Sequence, residues 1–379
     1  MKKIAILVPN LKDNGVSRVA ALHSIMFSNA GYNVDIIIEE NKSIKFPYIG
    51  NLIDLKIKKK HGIMKIINFL SLYIKIKKIK TNNKYDFFIS HIPHCDIINA
   101  LTKNEEITIS TIHNNFEKRY SKVTKFLLKH IILKKSDIVV TVSNDLALAL
   151  KQKYSNYNKI VNIPNPIELN LIKESLKGNL PEHLKNRKFI LNIGRLDSQK
   201  GQWHLIKSFY LTLKKQPNIY LVIIGEGPEK IALKKLCDDL NISKKVFFEG
   251  FKENPFIYLN HSSAFVFPSL YEGLPMVLIE AMACRAPIIS SDCFSGPREL
   301  LIKDNIAYGK LIPNKSNIAS LKTKKIEDYD RLISNEILSI LVEDSKNLKL
   351  TLDLAEERAN DFKLENIFLK WKDLFDEYN

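Results

Sequence analysis

Glu272 and Glu280 stand eight residues apart in Glu272-Gly273-Leu274-Pro275-Met276-Val277-Leu278-Ile279-Glu280, a spacing that suits a polyol held beside a phosphate. Upstream, Ala264-Phe265-Val266-Phe267 is a short apolar run that reads as a buried strand, ended by Pro268-Ser269. Glu272 then falls in an exposed turn. Pro275 suits the first turn of a helix, where its missing N–H costs nothing, and strong helix formers continue to Ala283. A carboxylate on that helix accepts hydrogen bonds from neighbouring hydroxyls such as those of a ribose, while the acid at the helix mouth reaches a sugar. Taken alone, two acids at this spacing read better as ordinary solvated surface groups.

A phosphate site accompanies them. Gly194-Arg195 follows an apolar run at 189–193, and Asp197-Ser198-Gln199-Lys200-Gly201 leads into the next helical stretch. Ligands of open parallel sheets bind beyond the carboxyl ends of the strands. Arg195 offers a planar guanidinium for two oxygens and Lys200 a compact point charge, which is what a diphosphate needs. Gly225-Glu226-Gly227-Pro228 follows the next run in the same way; Lys230 stands where a dinucleotide fingerprint has its third glycine, so the segment reads as a close-approach loop. Ser295-Gly296-Pro297-Arg298-Glu299 opens a further helix, whose free N–H groups favour an anion. In the first half, Asn14-Gly15-Val16 lets backbone approach a ligand closely, and Asn14 tolerates positive φ. His113 ends the run 107–112, and His91 and His94 flank Pro93 at the preceding strand end. A lone histidine is more often structural than catalytic.

The segment Ser269 to Leu300, SLYEGLPMVLIEAMACRAPIISSDCFSGPREL, resembles the nucleotide-binding signature of the family 4 retaining glycosyltransferases, which have the GT-B fold, and among them those that build bacterial surface glycans and lipid-linked oligosaccharides. The resemblance is clear from about Ile160 to Leu311 and weak toward the N-terminus. It implies two Rossmann-like domains facing across a cleft, with a terminal helix crossing back to the first. It also implies transfer of a hexose or N-acetylhexosamine, with retention, from a nucleoside diphosphate sugar, UDP preferred over GDP, to a glycan or polyprenyl-diphosphate-linked acceptor. Glu280 would hold the ribose, Arg195 and Lys200 the leaving diphosphate, and Glu272 with His113 the donor sugar. Gly15, Gly194, Gly225, Gly227, Gly273, Leu274 and Pro275 would line the donor, and Gly250-Phe251 would be the base-contacting loop. No metal and no cofactor beyond the donor is implied, so Asp328-Tyr329-Asp330, formally a metal-binding DxD, is taken as solvated. The chain departs from the family pattern at Asn14 and Ser295, where glycine is usual, and at Arg285, which puts a bulky residue at an expected helix C-cap.

The elements that position these residues alternate apolar runs with helical stretches from end to end, the rhythm of parallel sheets covered on both faces. Strands are expected at 3–8, 34–38, 86–90, 107–112 and 138–142, then again at 189–193, 220–224, 246–248, 264–267 and 287–290. The class is α/β. Domains are expected at 1–165 for the acceptor and 187–355 for the nucleotide sugar, with a Pro- and Asn-containing linker at 166–186 and a C-terminal helix at 356–379 anchored by Trp371 and Phe375; a helix that only caps the second domain is the alternative. A length of 379 residues suits two such cores. Four cysteines without metal or redox spacing fit a reducing cytoplasm.

The formal charge of +17 is concentrated in Lys56–Lys80, with nine lysines and no acid, and in Lys118–Lys135, with seven Lys/Arg and no acid. Ile63, Ile66, Ile67, Leu70 and Ile74 form one stripe at helical spacing in the first. Two readings stay open: a helix lying on an anionic membrane, which would place the protein on the inner face of the cell membrane, or a core helix with a solvated lysine face. Nucleic acid is disfavoured, since no stacking platform accompanies the charge. Other functions in play are a nucleotide-sugar epimerase of similar architecture and a basic membrane or nucleic-acid binder on a vestigial transferase fold.

Overall fold

The computed structural model describes residues 2–378 except 13, 42–43, 58–63, 158, 316–320 and 322, and the side chains of 64 and 65 are also outside the description. Ile63, Lys58, Lys59, Lys60 and the Lys65 side chain therefore lie outside the described residues. The chain forms two compact units: Met1–Ile167 with Phe362–Asn379, and Glu168–Asp361.

In unit 1 the strands are β1 Lys3–Val8, β2 Asn33–Ile38, β3 Asn51–Asp54, β4 Phe87–His91, β5 Ile107–Ile112, β6 Ile138–Thr141 and β7 Ile160–Asn162. They make one parallel seven-stranded sheet in the order β3-β2-β1-β4-β5-β6-β7. The central strand β1 is a continuous apolar run from Ile4 to Val8, as expected of a strand buried on both faces, and all five residues are fully buried. Asn14 caps the helix Gly15–Asn29 by accepting the Ser17 N–H at 2.9 Å. Its φ is −130°, so the tolerance of asparagine for positive φ is not used here. The terminal helix Leu364–Asp376 belongs to this unit, which decides between the two roles open to it. Trp371 and Phe375 are fully buried, with Phe375 stacked on Phe87 at 4.1 Å and Trp371 edge-on to Phe27 at 5.5 Å.

In unit 2 the strands are β8 Phe189–Ile193, β9 Tyr220–Ile224, β10 Val246–Gly250, β11 Ala264–Phe267, β12 Ile288–Asp292, a hairpin of β13 Ile302–Lys303 and β14 Ile306–Ala307, and β15 Lys310–Pro313. The main sheet has the order β10-β9-β8-β11-β12-β15. This order, in which β8 lies between β9 and β11, brings the loops after those three strands together. The stretch 166–186 is not a bare linker: it carries the helix Leu169–Ser175 and a turn of 3-10 helix at Glu182–Leu184, both within unit 2. Nor is 356–379 one helix, because Ser345–Ala359 ends in unit 2 before Leu364–Asp376 begins.

Arg285 does occupy the left-handed region, at φ 57°, after the helix Met276–Ala283. Its guanidinium pairs with Asp353 at 2.5 Å and Glu356 at 2.9 Å on the helix Ser345–Ala359, contacts that offset part of the conformational cost.

The helix Met64–Asn82 buries Leu72 and Ile76 and packs Phe69, Tyr73 and Ile79 against the same cluster. Ile66, Ile67, Leu70 and Ile74 face outward, 63%, 50%, 53% and 62% exposed, so the stripe read from the sequence is not the core face. Lys80 is not part of a basic surface either, being buried and paired with Glu106 at 2.6 Å. No helix among the described residues is long and apolar enough to cross a membrane.

Candidate functional site

In unit 2 the two segments singled out for phosphate and sugar chemistry meet. Lys200 Nζ lies 2.7 Å from Glu272 Oε1, with the two side chains only 19% and 7% exposed. The meeting is held by backbone: Leu270 N–H donates to the Gln199 carbonyl at 2.8 Å and Gln199 Nε2 donates to the Tyr271 carbonyl at 2.8 Å. Asn314 Nδ2 donates to the Leu270 carbonyl at 3.0 Å. Gly201 turns the chain into the helix Gln202–Leu213 at φ 65°, where any Cβ would lie 2.2 Å from the Pro268 carbonyl oxygen. Lys200 also sits over the Phe267 ring at 5.3 Å from the centroid. The ammonium is thus fixed between an aromatic face and a carboxylate at the end of β11. Gln199 and Asn314, which hold this junction, were not singled out from the sequence; a loop amide that bonds backbone leaves no pattern there.

Arg195 stands on the same loop with its side chain 60% exposed and Nε 3.5 Å from Asp197, so most of its donors face solvent. Gly194 has the Lys200 side chain 3.6 Å from where a Cβ would be. Gly225 and Gly227 are required by the protein's own backbone. A Cβ on Gly225, at φ 139°, would lie 2.0 Å from the Gly194 carbonyl oxygen, and one on Gly227 2.2 Å from that of Leu196. The close approach read from this loop is therefore made to the β8 loop itself. Phe251 is partly exposed just past β10, whose Gly250 carbonyl accepts the Gly225 N–H at 2.8 Å.

Glu272 and Glu280 are both buried, at 5% and 4% exposure, where the sequence placed Glu272 in an exposed turn. The Glu272 N–H donates to the Phe294 carbonyl at 3.0 Å, and Ser295 Oγ donates to the Gly273 carbonyl at 2.9 Å. Gly296, at φ 96°, leaves no room for a Cβ beside Gly273 and Pro275. These contacts tie Glu272 to Pro275 against the loop after β12. Leu274 is buried and Pro275 is the N-cap of the helix Met276–Ala283, one step before the first turn, which places Glu280 inside that helix. Burial and the neighbouring Glu272 charge push the Cys293 thiol up to about 12, so it is no nucleophile.

The DxD residues are not all solvated. Asp328 is exposed, but Asp330 is fully buried and bonded to His204 Nδ1 at 2.6 Å, on the helix Asp328–Leu341. His204, Glu327 and Asp330 are close enough to share a metal ion, as are Glu39, His94 and Cys95 in unit 1. In the first group the acids already face the buried Lys207, whose ammonium they stabilise against its burial.

In unit 1, Gly15 opens its helix with nothing within 4 Å of a Cβ position among the described, non-neighbouring residues, so none of their contacts requires glycine there. His113 is half-buried just past β5, and its Nε2 lies 2.8 Å from Nδ1 of the fully buried His91. Burial holds the His113 imidazole down at about 3, and burial with the neighbouring rings holds His91 well below its usual range. Both rings are neutral at physiological pH. His94 is taken up by Glu39, 2.5 Å away.

Two family models match the chain: Glycosyltransferase Family 4 over residues 13–171 and Glycosyl transferases group 1 over residues 179–336. An uncharacterised glycosyltransferase of Methanocaldococcus jannaschii is 31% identical over 88% of this chain and 91% of its own length. The Campylobacter jejuni N-acetylgalactosamine-N,N'-diacetylbacillosaminyl-diphospho-undecaprenol 4-alpha-N-acetylgalactosaminyltransferase is 31% identical over 86% of this chain and 91% of its own. Among solved structures, HepE of Anabaena in complex with UDP and glucose superposes with a TM-score of 0.78 at 15% identity, covering 100% of both chains.

Proposed function

The chain belongs to the family 4 glycosyltransferases of GT-B fold, and from that premise we propose that it moves a hexose or N-acetylhexosamine from UDP, with retention and without a metal, to a lipid-linked or glycan acceptor. The observation that carries the donor half is the buried Lys200–Glu272 pair at the ends of β8 and β11, with Arg195 largely free to solvent on the same loop. On binding, the diphosphate recruits Arg195 and Lys200, and the largest electrostatic gain falls on the leaving diphosphate, where charge develops. Release of Lys200 then frees the Glu272 carboxylate to accept hydroxyls of the sugar. Glu280, rigid within its helix, takes the ribose. In unit 1, His113 donates to a hydroxyl of the transferred sugar, and the open space over Gly15 admits ligand close to backbone. A lipid-linked acceptor is supported by the Campylobacter relative, whose name specifies a diphospho-undecaprenol substrate.

The test is thermal stabilisation by UDP, GDP, CMP and ADP in wild type and Glu280→Ala. A nucleotide at a hundred times its Kd adds about 2.7 kcal/mol. A UDP shift that is lost in Glu280→Ala is expected; no shift with any nucleotide would sink the donor-site assignment.

The outward stripe Ile66, Ile67, Leu70 and Ile74, with Lys75, Lys77 and Lys78 exposed on the same helix, supports peripheral docking of unit 1 on an anionic bilayer. Val123 and Phe126, 67% and 61% exposed in the second basic segment, extend the same chemistry. Sedimentation with phosphatidylglycerol vesicles that Ile67→Glu/Leu70→Glu abolishes is expected, and equal binding by that variant would refute the stripe's part.

A further inference from the structure

We infer that His91 is a positioning residue that donates from Nδ1 to His113 Nε2, fixing His113 as the Nδ1–H tautomer and so making it a hydrogen-bond donor rather than a proton acceptor. The inference deepens the proposed transferase function and rests on it for the role of His113.

His91 is the last residue of β4 and pairs in register with Thr111 of β5, two residues before His113, so adjacent parallel strands deliver both rings to one sheet end. The nitrogens are 2.8 Å apart with ring centroids at 5.0 Å, a direct bond without an intervening water. Each ring is neutral, so a single proton lies in that bond, and its direction sets both tautomers.

The far side of His91 decides the direction. His91 Nε2 is buried without a partner, and what faces that ring is His23, at 5.3 Å between centroids, itself buried with neither nitrogen bonded. Behind His23 stands Trp371 of the terminal helix, edge-on at 5.2 Å. Were His113 the donor, His91 would carry its proton on Nε2 as a buried N–H with no acceptor. With His91 as donor, Nε2 is only an unused lone pair, and orphaned buried donors are the rarer of the two in folded proteins. The nearby buried acid, Asp96, is bonded to neither ring: its Oδ1 accepts Ser90 Oγ at 2.7 Å and its Oδ2 has no partner. His23 is also kept neutral, at about 3, by burial first and by His113 second, so no charge enters the stack to reverse the bond.

The consequence for chemistry is specific. The His113 lone pair is committed to His91, which leaves Nδ1–H to donate to a sugar hydroxyl or an anionic oxygen, and general-base catalysis by this ring is excluded.

The test combines histidine ring 15N spectroscopy of the full chain with transfer assays on His91→Asn and His91→Phe. Asparagine keeps an N–H donor near the Nδ1 position; phenylalanine keeps volume without a donor. The expected result is an Nδ1–H pattern for His113, assigned by its loss in His113→Ala, in wild type and His91→Asn, and a mixed pattern in His91→Phe. Turnover falls about 10–100-fold in His91→Phe, by analogy with loss of the orienting partner of a metal-bound imidazole, and recovers in His91→Asn, with stabilisation by UDP unchanged in both. An Nε2–H pattern in wild type, or equal turnover in His91→Phe, would overturn the inference. If wild type transfers no sugar, the transferase reading fails, yet the spectra still decide the direction of the bond.

Discussion

Lys200→Met and Glu272→Gln separate a ligand-binding pair from a structural one, because the proposed exchange of partners predicts opposite effects on nucleotide affinity. Lys200→Met leaves the buried Glu272 carboxylate without its cation 2.7 Å away. Breaking a fully buried pair costs about 3–5 kcal/mol and breaking an exposed one about 0–1. Lys200 is 19% exposed, which puts the cost between those limits, at about 2 kcal/mol. At about 2–4 °C per kcal/mol for a unit of this size, the melting midpoint falls by about 4–8 °C. Loss of a charge-assisted bond to the diphosphate, about 1.5–3 kcal/mol, weakens UDP about 10- to 150-fold. In Glu272→Gln the competing carboxylate is gone and the ammonium is free for phosphate, so UDP binds as tightly as in wild type or more tightly, while turnover falls. Calorimetric titration with UDP, beside thermal melts of each variant, reads both effects. If Lys200→Met binds UDP like wild type, or Glu272→Gln weakens UDP as much as Lys200→Met does, the exchange mechanism is wrong.

Arg285→Ala should be less stable than Arg285→Gly by about 1 kcal/mol, because both lose the Asp353 and Glu356 pairs while only glycine relieves the positive φ; equal denaturation midpoints would count against that strain. Burial outweighs Glu106 and lowers the Lys80 ammonium from 10.5 to about 8. Below pH 8 both states hold the proton; between about 8 and 10.5 the unfolded chain keeps a proton that the folded one has released, so stability should rise with pH across that window relative to Lys80→Met. Urea melts at pH 7.5 and 10 measure it, and a wild-type advantage that shrinks with pH would contradict the sign. Gly15→Ala should raise stability by about 0.4–1 kcal/mol, since a helical φ suits alanine, yet lower turnover; Gly227→Ala, with its Cβ on the Leu196 oxygen, should lose about 1–3 kcal/mol. Melts with paired transfer assays tell these apart.

How much of this was legible from the chain depends on what each residue answers to. Strands β1, β9 and β11 fall at the expected residues because a strand covered on both faces reads as an apolar run, Ile4–Val8, Tyr220–Ile224 and Ala264–Phe267. The strands β3, β7 and β15 escaped because edge strands are short and mixed: Asn51–Asp54 is half-exposed, Ile160–Asn162 runs into prolines, and Lys310–Pro313 ends in one. In Met64–Asn82 the period was real but apolar residues stand on two faces, and which face meets the sheet is settled by packing alone.

The site divides along the same line. Lys200 and Glu272 were each legible by type and by position after a strand, but their pairing across 72 residues follows from β8 lying beside β11, a sheet order that no local pattern encodes. His91 and His113 became a pair by the same route, through neighbouring strands β4 and β5. The glycines make the sharper point. A sequence marks glycine without saying what comes close to it. At Gly225 and Gly227 the close neighbour is the chain itself, so those positions would be glycine in a protein that bound nothing. At Gly15 no non-neighbouring atom of the described residues comes within 4 Å of a Cβ position, and the helix would gain from alanine. If the proposed site is right, Gly15 is the stronger marker of ligand approach, although the glycine pair at 225 and 227 looked more like a binding motif.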